Sequence, residues 1–361
     1  MQRRNFFKTT LLGAAACATL AEGASPAQAA SPASSMETEA EALTHKLFAD
    51  DGLVRSIADR PTVSDLAKGK DRTLVLGGGG EYYVAWYCGF FHGLQDQGLD
   101  MEALSEMVVG TSAGSYMGSS LTSGHFATLL KQFDFFGHFP AIFAKMAPLS
   151  SPNISQKRAL ALSAAAKDGS IETIRAIGRA GLASNNTVNG PSVERLAGLL
   201  TGDSQTDWPA AKMFTTAMDC YTGERLIVHQ AVAKKNGIPL AHGAAASSSL
   251  PGIMGPTVLG QRFAMDGGIC SNPAHVDVVA GSKRALIITL TDGVKPPFLT
   301  GIPHPLARNI KDIEATGTKT LWIVANPPDV NLLDPKQIGP ALQTGYDRAK
   351  VEGPRIKQFW A

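Results

Sequence analysis

Val108-Val109-Gly110-Thr111-Ser112-Ala113-Gly114 decides how the rest of the chain folds. Two β-branched residues end a strand, Gly-x-Ser-x-Gly turns sharply, and small residues from Ser115 to Leu121 run on as a helix. A serine on such a strand-to-helix turn projects its Oγ from a strained elbow, and Gly110 and Gly114 let neighbouring backbone come close. The helix start also leaves N–H groups beside that oxygen, where negative charge would develop during acyl transfer.

A second turn of the same kind lies upstream. Thr73-Leu74-Val75-Leu76 has the makings of a short buried strand; it runs into Gly77-Gly78-Gly79-Gly80, and a helix follows from Tyr82 or Tyr83 to Gln97. A Walker loop would need Gly-Lys-Ser/Thr, which is missing, and a dinucleotide fingerprint would need a third glycine where Tyr82 stands. Two meanings stay open. The ribbon is an oxyanion hole if it meets Ser112 at adjacent strand ends of a parallel sheet, or a tight turn that binds nothing.

Downstream, Phe214 to Met218, Leu226 to Val228, Leu286 to Leu290 and Leu321 to Val324 have strand character, and Pro340 to Lys350 closes the chain as a helix. Thr257 to Leu259 and Arg262 to Met265 form a hairpin turning at Gly260-Gln261, which delivers Asp266-Gly267-Gly268. The pattern predicts an α/β fold: a largely parallel central sheet flanked by helices. Residues 124–207 show no strand pattern, while Phe126, Leu129, Leu130, Phe133 and Phe136, then Ile171, Ile174 and Ile177, recur at helical spacing. A helical insertion over the active-site edge is expected there. Phe133, Phe135, Phe136, Phe139 and Phe143 are either an acyl-chain wall or ordinary core.

The N-terminus is an address label. Arg3-Arg4-Asn5-Phe6-Phe7-Lys8, an apolar run from Leu11 to Leu20 and Ala27-Gln28-Ala29 make a signal peptide over 1–29 of the twin-arginine type. It implies export by the twin-arginine machinery to the periplasm or beyond. A linker and a helix from Met36 to Phe48 fill 30–70, and the main domain spans 71–361. Cleavage after Ala29 would take Lys plus Arg from 33 to 30 and Asp plus Glu from 31 to 30, a net charge of zero. Bulk charge therefore gives no reason to expect a nucleic-acid partner. Cleavage also removes Cys17, and the three cysteines that remain, Cys88, Cys220 and Cys270, are scattered and odd in number, which implies no disulfide framework. No run beyond the signal is apolar enough to span a membrane, and no His/Cys/Asp cluster suggests a metal; no cofactor is expected.

Three pieces in this order, Gly77 to Gly80 after a strand, Gly110-Thr111-Ser112-Ala113-Gly114, and Asp266-Gly267-Gly268, resemble the patatin-like phospholipases. Ala246-Ser247-Ser248-Ser249-Leu250-Pro251-Gly252, Asn272-Pro273 and Gly345-Tyr346 are similar too. The resemblance covers residues 72–292 well, but not the insertion. It implies lipid acyl hydrolysis by a Ser–Asp dyad, with Ser112 as nucleophile, Asp266 as base and the backbone of Gly77, Gly78 and Gly79 as oxyanion hole. The chain departs from the family where Arg or Lys and then Gly usually follow the glycine run: it has Glu81 and Tyr82. An acidic residue there is expected to repel an anionic headgroup.

The chemistry is sound on its own terms. A serine hydroxyl is a poor nucleophile until a base takes its proton, and an exposed carboxylate with pKa about 4 is a weak base at neutral pH. Burial would raise that pKa. A Ser–His–Asp esterase using His275 or His304 is the rival for the same serine. A catalytically silent lipid-binding protein is a rival of another class, and an acyltransferase a third.

Overall fold

The apolar runs become the strands of one mixed sheet, and their order explains where the site forms. The computed structural model describes residues 51–56, 65–146, 152–184, 189–202, 207–293 and 300–361. The expected signal peptide, linker and helix at 36–48 lie outside the described residues. Nine strands are described: β1 (Val54–Ser56), β2 (Arg72–Leu76), β3 (Met107–Gly110), β4 (Met213–Asp219), β5 (Arg225–His229), β6 (Thr257–Leu259), β7 (Arg262–Asp266), β8 (Arg284–Thr289) and β9 (Lys319–Val324). Their order is β1-β5-β4-β3-β2-β8-β9, and β4, β3, β2, β8 and β9 run parallel.

The helices of the N-terminal half are α1 (Gly80–Gln95), α2 (Met101–Leu104), α3 (Ala113–Thr122), α4 (Phe126–His138), α5 (Pro140–Met146), α6 (Ile154–Ala165), α7 (Ile171–Ala183) and α8 (Asn189–Thr201). They are followed by α9 (Gln230–Asn236), α10 (Leu240–Ser247), α11 (Leu306–Glu314) and α12 (Ile338–Trp360). Alternate side chains of each strand serve opposite faces. Leu74, Leu76, Val108, Leu286 and Ile288 join a core with Trp86, Phe90, Met117 and Ile356. Val75, Val109, Ala285 and Ile287 join a second core with Leu306, Ile310 and Ile313. Covering both faces is what lets the parallel strands be apolar throughout.

Register brings the two glycine turns together. Leu76 pairs with Gly110 across β2 and β3, so the ribbon and the elbow leave neighbouring strand ends at one level. The amide of Thr111 donates to Leu76 O (3.0 Å) and locks that level. The hairpin reaches the same place by an unusual route. β3 pairs with Met213 to Thr215 of β4, and β7 pairs with Ala217 to Asp219. Because β5 runs along the other side of β4, β7 takes over the edge that β3 leaves. Asp266, the last residue of β7, is thereby set just beyond the end of β3.

The elbow allows no extra atom. A Cβ on Gly114 would lie 2.1 Å from Leu76 O, a backbone atom inside the sheet. Gly114→Ala is expected to destabilise the fold by about 3 kcal/mol or more, seen as a lowered chemical-denaturation midpoint.

Several boundaries differ from the sequence expectation. Helix α1 begins at Gly80 rather than Tyr82 or Tyr83 and ends at Gln95 rather than Gln97, and α3 spans Ala113–Thr122 rather than Ser115 to Leu121. The closing helix is much longer than Pro340 to Lys350 and carries Pro354 inside it. A seam of Ala341, Gly345, Ala349, Glu352, Gly353, Ile356 and Trp360, buried at helical spacing, offsets the roughly 3 kcal/mol a helical proline costs. Every described element between 124 and 207 is helical, and Gly301 N–H donates to Ser163 O at the end of α6 (2.8 Å). The five phenylalanines divide, and none of them lines the cleft that holds Ser112. Phe133, Phe136 and Phe143 are buried against one another with ring centroids 5.1–6.0 Å apart, and Phe135 and Phe139 face outward, 45% and 53% exposed. The same helical spacing suits core and wall alike, and sidedness chose the core for three of the five.

Candidate active site

Ser112 sits on the elbow with φ 53° and ψ −119°, a conformation L-residues avoid. Holding a non-glycine residue there costs on the order of 1–3 kcal/mol, so surrounding bonds must impose it. They do. Ser112 N–H donates to Ser247 Oγ (2.9 Å), Ser115 Oγ donates to Ser112 O (2.6 Å), and Gly114 N–H donates to Thr111 O (2.8 Å). Ser247 ends α10, in a stretch that the sequence marked only as a supporting motif. Ser247→Ala leaves the Ser112 amide buried without a partner. It should lower stability by about 1–3 kcal/mol, measured as a shift in urea midpoint, and loosen the elbow.

Asp266 is buried, 2% exposed. Its amide donates to Ser249 O (2.9 Å), and its Oδ1 accepts the Gly268 N–H (2.7 Å). Its Oδ2 has no hydrogen-bond partner among the described residues. Burial pushes the carboxyl up to about 6, while the Gly268 amide and the neighbouring Ser112 hydroxyl pull the other way. Ser112 and Asp266 are thus neighbours, with Oδ1 held by the Gly268 amide and Oδ2 without a partner among the described residues that would compete for the serine proton.

The ribbon is narrower as a donor than its sequence suggests. Gly77 N–H is spent on Ile288 O (3.0 Å), continuing the β2–β8 ladder, so Gly77 is corrected from oxyanion donor to sheet residue. Gly78 and Gly79 keep free amides among the described residues, and a Cβ on Gly78 would stand 2.9 Å from Ser112 Cβ. The ribbon therefore lies directly against the elbow. Tyr87, one residue that sequence reasoning missed, donates its hydroxyl to the carbonyls of Gly77 and Ile288 (both 3.1 Å) and fixes where the ribbon starts.

Ser112, Asp266 and Gly77 to Gly80 line one cleft of about 120 Å³ with Leu250, Gly268, Ile269, Pro273, Thr289, Thr291, Thr300 and His304. The histidines do not complete a triad. His275 Nε2–H donates to Gly267 O (2.8 Å); burial first, then Arg225, lowers its pKa to about 3, so it is a neutral brace for the Asp-Gly turn. His304 lines the cleft, yet its Nε2 has no partner among the described residues, and neither histidine is hydrogen-bonded to Ser112 or Asp266. Asn272 is structural: its Nδ2 donates to Asp277 Oδ1 (2.8 Å), which also receives the buried Arg225 (2.7 Å), while Pro273 beside it lines the cleft.

Glu81 behaves differently from the expected repelling anion. Burial, with Asp334 nearby, pushes its carboxyl up to about 8, which favours the uncharged form, and it does not line the cleft. Among the described residues no helix is long and apolar enough to cross a membrane.

A family model described as patatin-like phospholipase matches residues 74–278. No curated protein matches the chain. In fold, the chain is similar to VipD from Legionella pneumophila, at 13% identity over 84% of this chain and 70% of that one, with a TM-score of 0.38. It is also similar to the type III effector ExoU, at 16% identity over 80% of this chain and 54% of that one, with a TM-score of 0.32. The third is ExoU in its heterodimeric complex with SpcU from Pseudomonas aeruginosa, at 15% identity over 86% of this chain and 58% of that one, with a TM-score of 0.36. The chain spans just over half the length of both ExoU chains. The family model covers more than half of the sequence and takes in the ribbon, the elbow and the Asp-Gly turn, so the chain belongs to the patatin-like phospholipase family.

Proposed function

We propose that this protein is a serine acyl hydrolase that cleaves carboxylic esters of lipids through a Ser112–Asp266 dyad. Support comes from one observation: a hydroxyl on a strained elbow, a buried carboxylate with a free oxygen and a ribbon with free amides share a single cleft. Ser112 Oγ attacks the ester carbonyl carbon as Asp266 Oδ2 takes its proton. The carbonyl oxygen becomes an oxyanion facing the amides of Gly78 and Gly79, each worth roughly 3 kcal/mol when well aimed. The intermediate collapses to an acyl-serine, and Asp266 returns the proton to the departing alcohol. Water then attacks the acyl-serine, with Asp266 again taking the proton, and the acid leaves as Ser112 regains its hydrogen.

The twin-arginine-type signal at Arg3-Arg4 supports export before the protein meets its substrate. The test is p-nitrophenyl ester hydrolysis across chain lengths by the purified protein. Turnover of at least one of these esters, with one acyl group held per chain before water releases it, is expected. No hydrolysis at any length would refute the proposal.

A further inference from the structure

Beyond the groups that carry out the chemistry, the cleft holds a second set of polar groups that nothing in the dyad uses. They are Thr291, two residues past the end of β8, and Thr300 and His304, shortly before α11 begins, and all three line the cleft with the ribbon. His304 is only 9% exposed, and its Nε2 is buried without a partner among the described residues. A buried imidazole nitrogen left unpaired costs free energy unless a ligand meets it. Thr291 Oγ accepts the Gly293 amide (3.4 Å) and Thr300 Oγ accepts the Ile302 amide (3.2 Å). Each threonine therefore still has a hydroxyl hydrogen to give, and neither has an acceptor among the described residues. Burial lowers the His304 pKa to about 4, so the ring is neutral at physiological pH. Its backbone is anchored: the Leu306 amide donates to His304 O (2.8 Å) as α11 begins.

We propose that His304, Thr291 and Thr300 form a polar subsite beside Ser112 that binds an uncharged oxygen substituent of the substrate, a hydroxyl carried on either the alcohol or the acyl part of the ester. The subsite rests on the hydrolase assignment, because it describes what is bound while Ser112 acts. A neutral imidazole and two hydroxyls can both give and accept hydrogen bonds, which matches a hydroxyl group. A site built to bond such a group discriminates against the analogue that lacks it, because its own buried polar atoms are then left unpaired.

Three esters of one size class separate the possibilities: ethyl butyrate with no hydroxyl, glyceryl monobutyrate with hydroxyls on the alcohol, and ethyl 3-hydroxybutyrate with one on the acyl chain. Wild type should prefer one hydroxylated ester by about tenfold in kcat/KM, and which one identifies the side that is read. His304→Leu should bring that ratio close to one, chiefly by raising KM, and His304→Gln should keep part of the preference. Thr300→Val should weaken the preference as well, and it supplies the test should His304→Leu not fold. A wild-type ratio near one, or a ratio that survives in His304→Leu, overturns the subsite. So does equal loss of all three activities in a His304→Leu protein with native circular dichroism, since His304 would then act in the chemistry. An active Ser112→Ala enzyme would instead sink the hydrolase assignment, so the two failures are distinguishable.

Discussion

Ser112→Ala should lower kcat for ester hydrolysis by about 10⁶ while the protein stays folded. The loss is large because, of the hydroxyls lining the cleft, Ser112 Oγ is the one set on the elbow beside the Asp266 carboxylate and the free ribbon amides. The fold is spared for a specific reason: the elbow is held through the Ser112 amide and carbonyl, which alanine keeps. Far-UV circular dichroism and the melting curve should match wild type. A residual rate above the buffer reaction is expected, since Gly78 and Gly79 can still polarise a bound carbonyl for attack by water. A drop of only tenfold would mean that the attacking oxygen lies elsewhere.

Asp266→Asn should be the second largest loss, about 10⁴ in kcat, because the amide can fill the site but cannot take a proton. Two further readouts follow from the buried carboxyl. The base must be ionised, and burial pushes it up to about 6, so wild-type kcat/KM should fall tenfold per pH unit below about pH 6 and level off above it. Stability should move the opposite way. In the unfolded chain the group titrates near 3.8, so between that value and about 6 the folded state holds a proton that the unfolded state has lost. Stability therefore falls as pH rises through this window, by at most about 3 kcal/mol, once the folded carboxyl must ionise while buried. Asp266→Asn has no such group. It should melt above wild type at pH 8, with the gap closing as pH falls to about 4. A variant that is inactive yet more stable at high pH is hard to explain for a residue that only closes a turn. Equal melting at both pH values would show that Asp266 is not held as a buried base.

Much of this was legible before any coordinates. The central strands β2 and β3 are short apolar runs ended by glycine, and the ribbon and the elbow sit where those runs meet small residues. The Asp-Gly turn was found because a hairpin signal pointed at it. The failures came from partners distant in sequence. Gly77 looks identical to Gly78 until β8 is seen to claim its amide, a register that no local pattern reveals. The start of α1 at Gly80 was missed because glycine is a poor helix former, and the end of α12 because Pro354 and Gly353 look like breakers. Burial along α12 overrode propensity there, while at Gly80 the positive φ of 65° that opens the helix is one glycine takes without strain. Ser247 and Tyr87 could not be assigned from their own residues, since each acts on backbone supplied by another element. The phenylalanine-rich helix was correctly periodic, yet periodicity cannot say which element a face will meet.

The central claim is that a single hydroxyl, Ser112 Oγ, is the nucleophile of this cleft. Intact-mass and peptide spectrometry after treatment with a fluorophosphonate tests it most directly. One adduct per chain on Ser112, absent from Ser112→Ala and slowed at least a hundredfold in Asp266→Asn, is the result expected. An adduct on any other residue, or none on a folded protein, would contradict it.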